Sequence, residues 1–129
     1  MKKFYFLIMP LFVFIACEKY DEDVVQITGL YHANVLGISG PHTISIAYDR
    51  GDEIVIEAPF DGFEWIYINA DVDHQRDFIK EIDIYEQQIG PGVFIWGEGF
   101  YQEGTIQLDY TIEFSPFEIY DFRIVGVQH

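Results

Sequence analysis

Between Thr105 and Phe114 the chain alternates without a break: Ile106, Leu108, Tyr110, Ile112 and Phe114 are apolar, and Thr105, Gln107, Asp109, Thr111 and Glu113 between them are polar. A period of two sends successive side chains to opposite faces of an extended strand, so one face of this segment is dry and the other wet. A helix, with its period of 3.6, has no single face that would bury such a pattern. The same alternation puts Ile44, Ile46 and Tyr48 on one face of residues 43–49, and Ile54, Ile56 and Ala58 on one face of residues 53–58.

Turn chemistry separates these runs. Asp49-Arg50-Gly51-Asp52 reads as a hairpin connection in which Gly51 takes positive φ, and Pro59-Phe60-Asp61-Gly62 carries the Asp-Gly pair that favours tight reversals. After it, Phe63, Trp65 and Tyr67 alternate with Glu64, Ile66 and Ile68, which predicts a strand covered on both faces or one with exposed aromatics. His74-Gln75-Arg76-Asp77 is the least strand-like stretch and reads as a surface loop with room for a helical turn. Residues 78–88 follow as a strand with Ile82 and Ile84 inward; Gly90-Pro91-Gly92 turns the chain, and residues 93–101 return. Gly97 and Gly99 inside that return predict a bulge or a sharp coil of the sheet. Gln102-Glu103-Gly104 and Ser115-Pro116 frame the alternating strand, and residues 118–127 close the domain with Tyr120, Phe122 and Ile124 on one side. Counting residues 27–36 as the first, there are about eight runs with short connections. The expectation is an all-β, antiparallel, up-and-down barrel; a two-sheet sandwich is the alternative.

The N-terminus has a different composition. Met1-Lys2-Lys3 precedes an apolar run from Phe4 to Ala16, broken by Pro10 and ending at the chain's single cysteine, Cys17. A cationic start, an apolar middle and a small residue before the cut make a secretory signal, and the run falls short of the roughly 20 apolar residues that span a bilayer. Phe14-Ile15-Ala16-Cys17 resembles the lipobox of bacterial lipoproteins, with Phe14 where Leu is commonest. That resemblance implies cleavage before Cys17 and lipidation of its thiol, and multiple acyl chains give stable anchoring. The expected organisation is therefore a signal peptide over 1–16, a lipidated cysteine with an acidic tether over 17–26, and one β domain over 27–129. Lys19 with Asp21, Glu22 and Asp23 is similar to the signal that sends some Gram-negative lipoproteins to the outer face of the outer membrane. The same residues also read as a plain solvated linker. Localisation to a Gram-negative cell envelope, in the outer membrane, is the expectation, with periplasmic and surface orientation both open.

The first strand opens Thr28-Gly29-Leu30-Tyr31, and the last carries the basic residue Arg123. With tight hairpins between them, these resemble the lipocalin-like (calycin) barrels, whose signature is Gly-x-Trp on the first strand with an Arg or Lys of the last strand packed across that ring. Here Tyr31 stands in the place of the Trp. The resemblance implies a barrel that binds a small apolar ligand.

The formal charge of −15 excludes nucleic acid as a partner, since phosphate backbones are repelled. Catalytic machinery is not apparent: Ser39, Ser45 and Ser115 have no nucleophile-elbow context, and His32, His42 and His129 are isolated in sequence. No enzyme and no cofactor is expected. Asp71 and Asp73, with His74 beside them, are weak candidates for a hard cation, because calcium wants six to eight oxygens and two carboxylates supply few. Trp65, Tyr67, Trp96 and Tyr101 are the candidate ligand-contact aromatics, able to line a barrel or stack on sugar rings. The function so read is a non-catalytic, membrane-anchored lipoprotein that binds a small ligand or a partner; a carbohydrate-binding or adhesion module is the alternative. Replacing Cys17 by Ala is expected to abolish incorporation of a fatty-acid analogue and leave the leader uncleaved; labelling that persists in Cys17→Ala refutes the lipobox reading.

Overall fold

The computed structural model describes residues 22–73 and 79–129, so the leader, the lipobox with Cys17, residues 18–21 and His74 lie outside the described residues. A single turn of helix, α1 (Glu22–Val25), precedes eight strands: β1 (Gly29–Val35), β2 (Ser39–Arg50), β3 (Glu53–Ala58), β4 (Ile66–Asp73), β5 (Lys80–Gly90), β6 (Val93–Gln102), β7 (Thr105–Ser115) and β8 (Glu118–Gln128). Each strand pairs antiparallel with the next, and β8 returns to pair with β1, from Tyr31 opposite Gln128 to Val35 opposite Ile124. The sheet is a closed up-and-down barrel, as the count of runs predicts, and not a sandwich.

The alternation of the sequence becomes inside and outside. Ile106, Leu108, Tyr110 and Ile112 of β7 are buried, as are Ile44 and Ile46 of β2, Ile54, Ile56 and Ala58 of β3, and Ile82 and Ile84 of β5. These side chains form one cluster that fills the barrel interior. An apolar inside with a charged outside is the reverse of a membrane-spanning barrel, whose outer band faces lipid.

Both ends are stoppered. At one end, Val24 and Ile27 from the segment around α1 are fully buried, Val24 lying within the stretch read from sequence as tether. The phenol of Tyr31 donates to the Ile27 carbonyl, and the Gln128 amide donates to the carbonyls of Gln26 (3.1 Å) and Thr28 (2.9 Å). The opposite end is closed by the β3–β4 connection. Its Phe60 is fully buried, sits edge-on to Tyr110 with ring centres 5.3 Å apart, and accepts a 2.5 Å hydrogen bond from the Tyr110 phenol at its carbonyl. Pro59-Phe60-Asp61-Gly62 does reverse the chain, with Gly62 N–H bonded to the Pro59 carbonyl at 2.8 Å, but within a loop that runs from Pro59 to Trp65. Phe63 and Trp65 therefore belong to the loop and are exposed, and β4 starts only at Ile66.

The bulge that Gly97 and Gly99 predict falls on the β5 edge of their strand, where the register shifts between Ile84, opposite Gly97, and Gln87, opposite Ile95. The β6–β7 register runs unbroken from Phe94 opposite Glu113 to Gln102 opposite Thr105, so no bulge interrupts it. The strands approach so closely that a Cβ on Gly97 would lie 2.3 Å from the Asp109 carbonyl oxygen and 2.5 Å from the Tyr110 Cα. Those neighbours are backbone and cannot swing away. Gly97→Ala is therefore expected to destabilise the barrel by about 1–3 kcal/mol through overpacking, read as a lower urea midpoint at unchanged slope; an unchanged midpoint would show that the strands have room to part.

Candidate functional site

The eight strands give the barrel a mouth, the end that carries the β1–β2, β3–β4, β5–β6 and β7–β8 connections. Most of the exposed large apolar side chains among the described residues collect there: Leu36, Ile38, Phe63, Trp65, Phe117 and Tyr120 ring it, with Phe117 almost wholly exposed at 96%. Phe114 and Tyr120 have the inward parity of β7 and β8, yet both emerge, because the Phe60 stopper packs on Tyr110 below them. Their rings touch at 5.9 Å.

A cleft of about 300 Å³ opens in this mouth, at the small end of the range for ligand pockets. Its origin lies in one seam. Ladder pairing between β4 and β5 is confined to Asp71–Asp83, Val72–Ile82 and Asp73–Glu81, and β5 bulges between Ile84 and Gln87 just beyond it. Toward the mouth the two strands part, and a side chain takes over the missing ladder. Gln87 accepts from the Asn69 N–H at 2.9 Å and donates to the Asn69 carbonyl at 2.8 Å, satisfying both halves of that peptide position. Above this splice the cleft lies between Ile66 of β4 and Ile89 and Val93 of the β5–β6 hairpin, with the core residue Ile112 as its floor.

Two carboxylates stand at the lip, Asp61 and Glu64 of the stopper loop. Asp61 is fixed: its carboxylate accepts from the N–H groups of Phe63 and Glu64, both at 2.8 Å. Burial, with the Asp61 charge in addition, pushes the Tyr110 phenol well above its ordinary value, so that it stays protonated and keeps donating to Phe60. Tyr31 is held protonated in the same way by burial, with Tyr101 adding to the effect.

A second, more polar groove of about 520 Å³ runs along the outer wall of β6–β8, over Gly97 and Gly99. Trp96, Phe100 and Glu98 flank it with Asp109 and Arg123. Arg123 bonds Asp109 at 2.5 Å, and Gln107 donates to the other carboxylate oxygen at 2.9 Å. Some desolvation opposes it, but these hydrogen bonds and the Arg123 charge hold the Asp109 carboxyl below its usual value.

The four aromatics singled out from sequence do not converge. Trp65 stands on the mouth rim, edge-on to His42 with ring centres 5.8 Å apart; Tyr67 is exposed on the wall of β4; Trp96 flanks the outer groove. Tyr101 is at the α1 end, where its phenol meets Gln128 at 3.2 Å. Asp71 and Asp73 point outward, Asp71 opposite Glu53 and Asp83, and no three metal-ligating side chains converge among the described residues. A hydrogen bond with Asp49, slight burial and the charges of Asp49 and Asp71 push the Glu53 carboxyl up, the mark of crowded acids.

Arg123 requires a correction. It does not cross the Tyr31 ring: it lies on the outer wall, 52% exposed and paired to Asp109. The last-strand residue opposite Tyr31 is Gln128, and its amide ties down the chain entering β1. Residues that sequence reasoning missed are Gln87, Asp61 and Glu64; the Asp-Gly turn pointed to the loop but not to its position in the barrel mouth. No protein-family model, no curated protein and no solved structure matches this chain.

Gln87→Ala strips the Asn69 peptide groups of their partners at a partly buried site. It is expected to cost about 1–3 kcal/mol and to speed hydrogen exchange at the Asn69 amide; unchanged exchange there would show that the splice does not hold the seam.

Proposed function

We propose that this chain is a non-catalytic, lipid-anchored binding protein of the Gram-negative cell envelope that takes a small apolar ligand at the barrel mouth. The observation that carries the reading is the cleft between β4 and the β5–β6 hairpin, floored by Ile112 and set in an apolar rim. The interior is packed with its own side chains, so the mouth, and not a deep calyx, is the place for a ligand. A contiguous exposed apolar patch marks a binding surface more often than an accident.

The anchor supports the same arrangement. From Cys17 to the start of α1 the chain spans at most roughly 18 Å when extended. An anchor at Cys17 would therefore hold the α1 end, rather than the mouth, nearer the bilayer.

A second reading rests on the outer groove. Trp96 and Phe100 offer flat faces, and the Arg123–Asp109 pair offers fixed hydrogen-bonding groups, which together suit a sugar ring.

Titration with N-phenyl-1-naphthylamine, a neutral apolar dye that fluoresces when shielded from water, separates the two. Dye binding that weakens about tenfold or more in Phe114→Ser and is retained in Trp96→Ala supports the mouth. The loss of Phe114 removes an apolar wall, and a tenfold loss corresponds to about 1.4 kcal/mol. No binding, or binding indifferent to Phe114→Ser, refutes it; a thermal shift with simple glycans that vanishes in Trp96→Ala moves the assignment to the outer groove.

A further inference from the structure

Resting on the mouth as the ligand site, we infer that the cleft selects amphiphilic cations: ligands whose apolar body lies against Ile66, Ile89, Val93 and Ile112 and whose cationic head meets Asp61 and Glu64.

The argument is one of charge placed against an apolar wall. Asp61 and Glu64 are lining residues of the cleft itself, on the same loop that stoppers the barrel. Asp61 is half-buried and locked by two backbone N–H groups, so its charge is delivered at a fixed point at little entropic cost when a ligand arrives. Glu64 is exposed and adjustable. The β7–β8 hairpin adds Glu113 and Glu118 at the same end, so the approach to the mouth is acidic on more than one side. None of the described lysine or arginine side chains is there. Arg50 and Lys80 sit at the C-terminal end of β2 and the N-terminal end of β5, at the opposite end of the barrel from the mouth, and Arg123 is committed to Asp109 on the wall. The titratable base at the mouth, His42, is engaged by the Ser39 hydroxyl at 2.9 Å and faces Trp65. An apolar anion such as a fatty-acid carboxylate would bring its charge against Asp61 and Glu64, whereas an ammonium head meets them as a counter-ion. The apolar cleft supplies affinity; the two lip carboxylates decide the sign of the head group.

Three probes share one alkyl chain and differ in the head: hexyltrimethylammonium, 1-hexanol and hexanoate. Each is titrated into the mature chain in lipid nanodiscs, with empty nanodiscs as the partition control, and binding is followed at the methyl NMR signals of Ile66, Ile89 and Ile112. Hexyltrimethylammonium is expected to bind about tenfold or more tightly than hexanol, and hexanoate most weakly, with the spread shrinking as salt is raised. In Asp61→Asn/Glu64→Gln the three probes should bind alike. The Asn side-chain oxygen can still accept from the Phe63 and Glu64 N–H groups, so the loop keeps its shape. Glu53→Gln/Asp83→Asn removes the same charge from the outer wall, away from both the mouth and the outer groove, and should leave the preference intact.

A preference lost equally in both double variants would trace it to overall charge and overturn the inference. Equal affinity for all three probes in the wild type would also overturn it while leaving the mouth as an apolar site. Methyl signals that none of the probes move would remove the mouth reading along with it.

Discussion

A strand at the edge of a sheet exposes a row of N–H and C=O groups that no other strand pairs, and an up-and-down sheet loses such edges only by closure. The pairing of β8 with β1 supplies it, and the rest of the molecule follows from the space that closure encloses. An eight-stranded barrel is just wide enough for its inward side chains to fill. Isoleucine does most of the filling, and Gly97 and Gly99 draw β6 and β7 together where a Cβ would hold them apart. The two ends cannot be filled by strand residues, so segments outside the ladder enter: Val24 and Ile27 at one end, Phe60 at the other. Each is fastened by a tyrosine phenol reaching a loop carbonyl, Tyr31 to Ile27 and Tyr110 to Phe60. A buried phenol needs an acceptor and a buried carbonyl needs a donor, so each bond satisfies two groups at once.

Closure is incomplete at one seam, and that seam is the functional candidate. Where β4 and β5 part, the peptide groups of Asn69 face a gap that the Gln87 amide bridges. The bridge gives the Asn69 N–H and carbonyl partners across the parting, and the gap becomes a cleft. The inward set of side chains also runs on past the stopper: Phe114 and Tyr120 continue the alternation of their strands after Phe60 has closed the core beneath them. Apolar groups that the barrel has no means to cover are thereby left at the mouth.

Much of this was legible in the residues, and the limits are physical. Alternation in Thr105–Phe114 settled β7, because a half-buried strand has one apolar face whatever its partners are. Gly51 does take positive φ in a two-residue hairpin, as its turn chemistry predicts, and the chain turns at Gly90-Pro91-Gly92 with Gly92 also at positive φ. The ambiguous stretch from Phe63 to Ile68 resolves into loop plus strand. Its double-sided apolar pattern arose because one half packs in the wall and the other stands on the rim. What the residues did not disclose depends on contacts distant in sequence. Phe60 sits between Pro59 and Asp61 in what reads as a plain turn, and only Tyr110, fifty positions on, makes it a stopper. Arg123 was singled out for its charge, but strand parity put it outside, and the position facing Tyr31 belongs to an uncharged amide, Gln128. Nothing in Gln87 itself announces that it replaces a ladder.

The outer surface differs from the mouth in how charge is set against apolar surface. Cross-strand register sets Glu53, Asp71, Asp83, Glu98 and Asp109 side by side around the barrel, each opposite the next, until Arg123 ends the row. Like charges placed directly opposite each other are destabilising by roughly 0.2–1 kcal/mol per pair, so this row costs the fold something. On the wall those carboxylates stand over a packed core, and the groove beside Glu98 and Asp109 is more polar than the cleft in the mouth. At the mouth the situation changes. The stopper loop carries Asp61 and Glu64 to the edge of the opening, where the inward apolar faces of β4, β5 and β7 emerge. Acid and apolar surface, which the period of two keeps on opposite sides of β7 and β3, meet there on one lip, and a ligand that satisfies both would itself be apolar along its body and positive at its head.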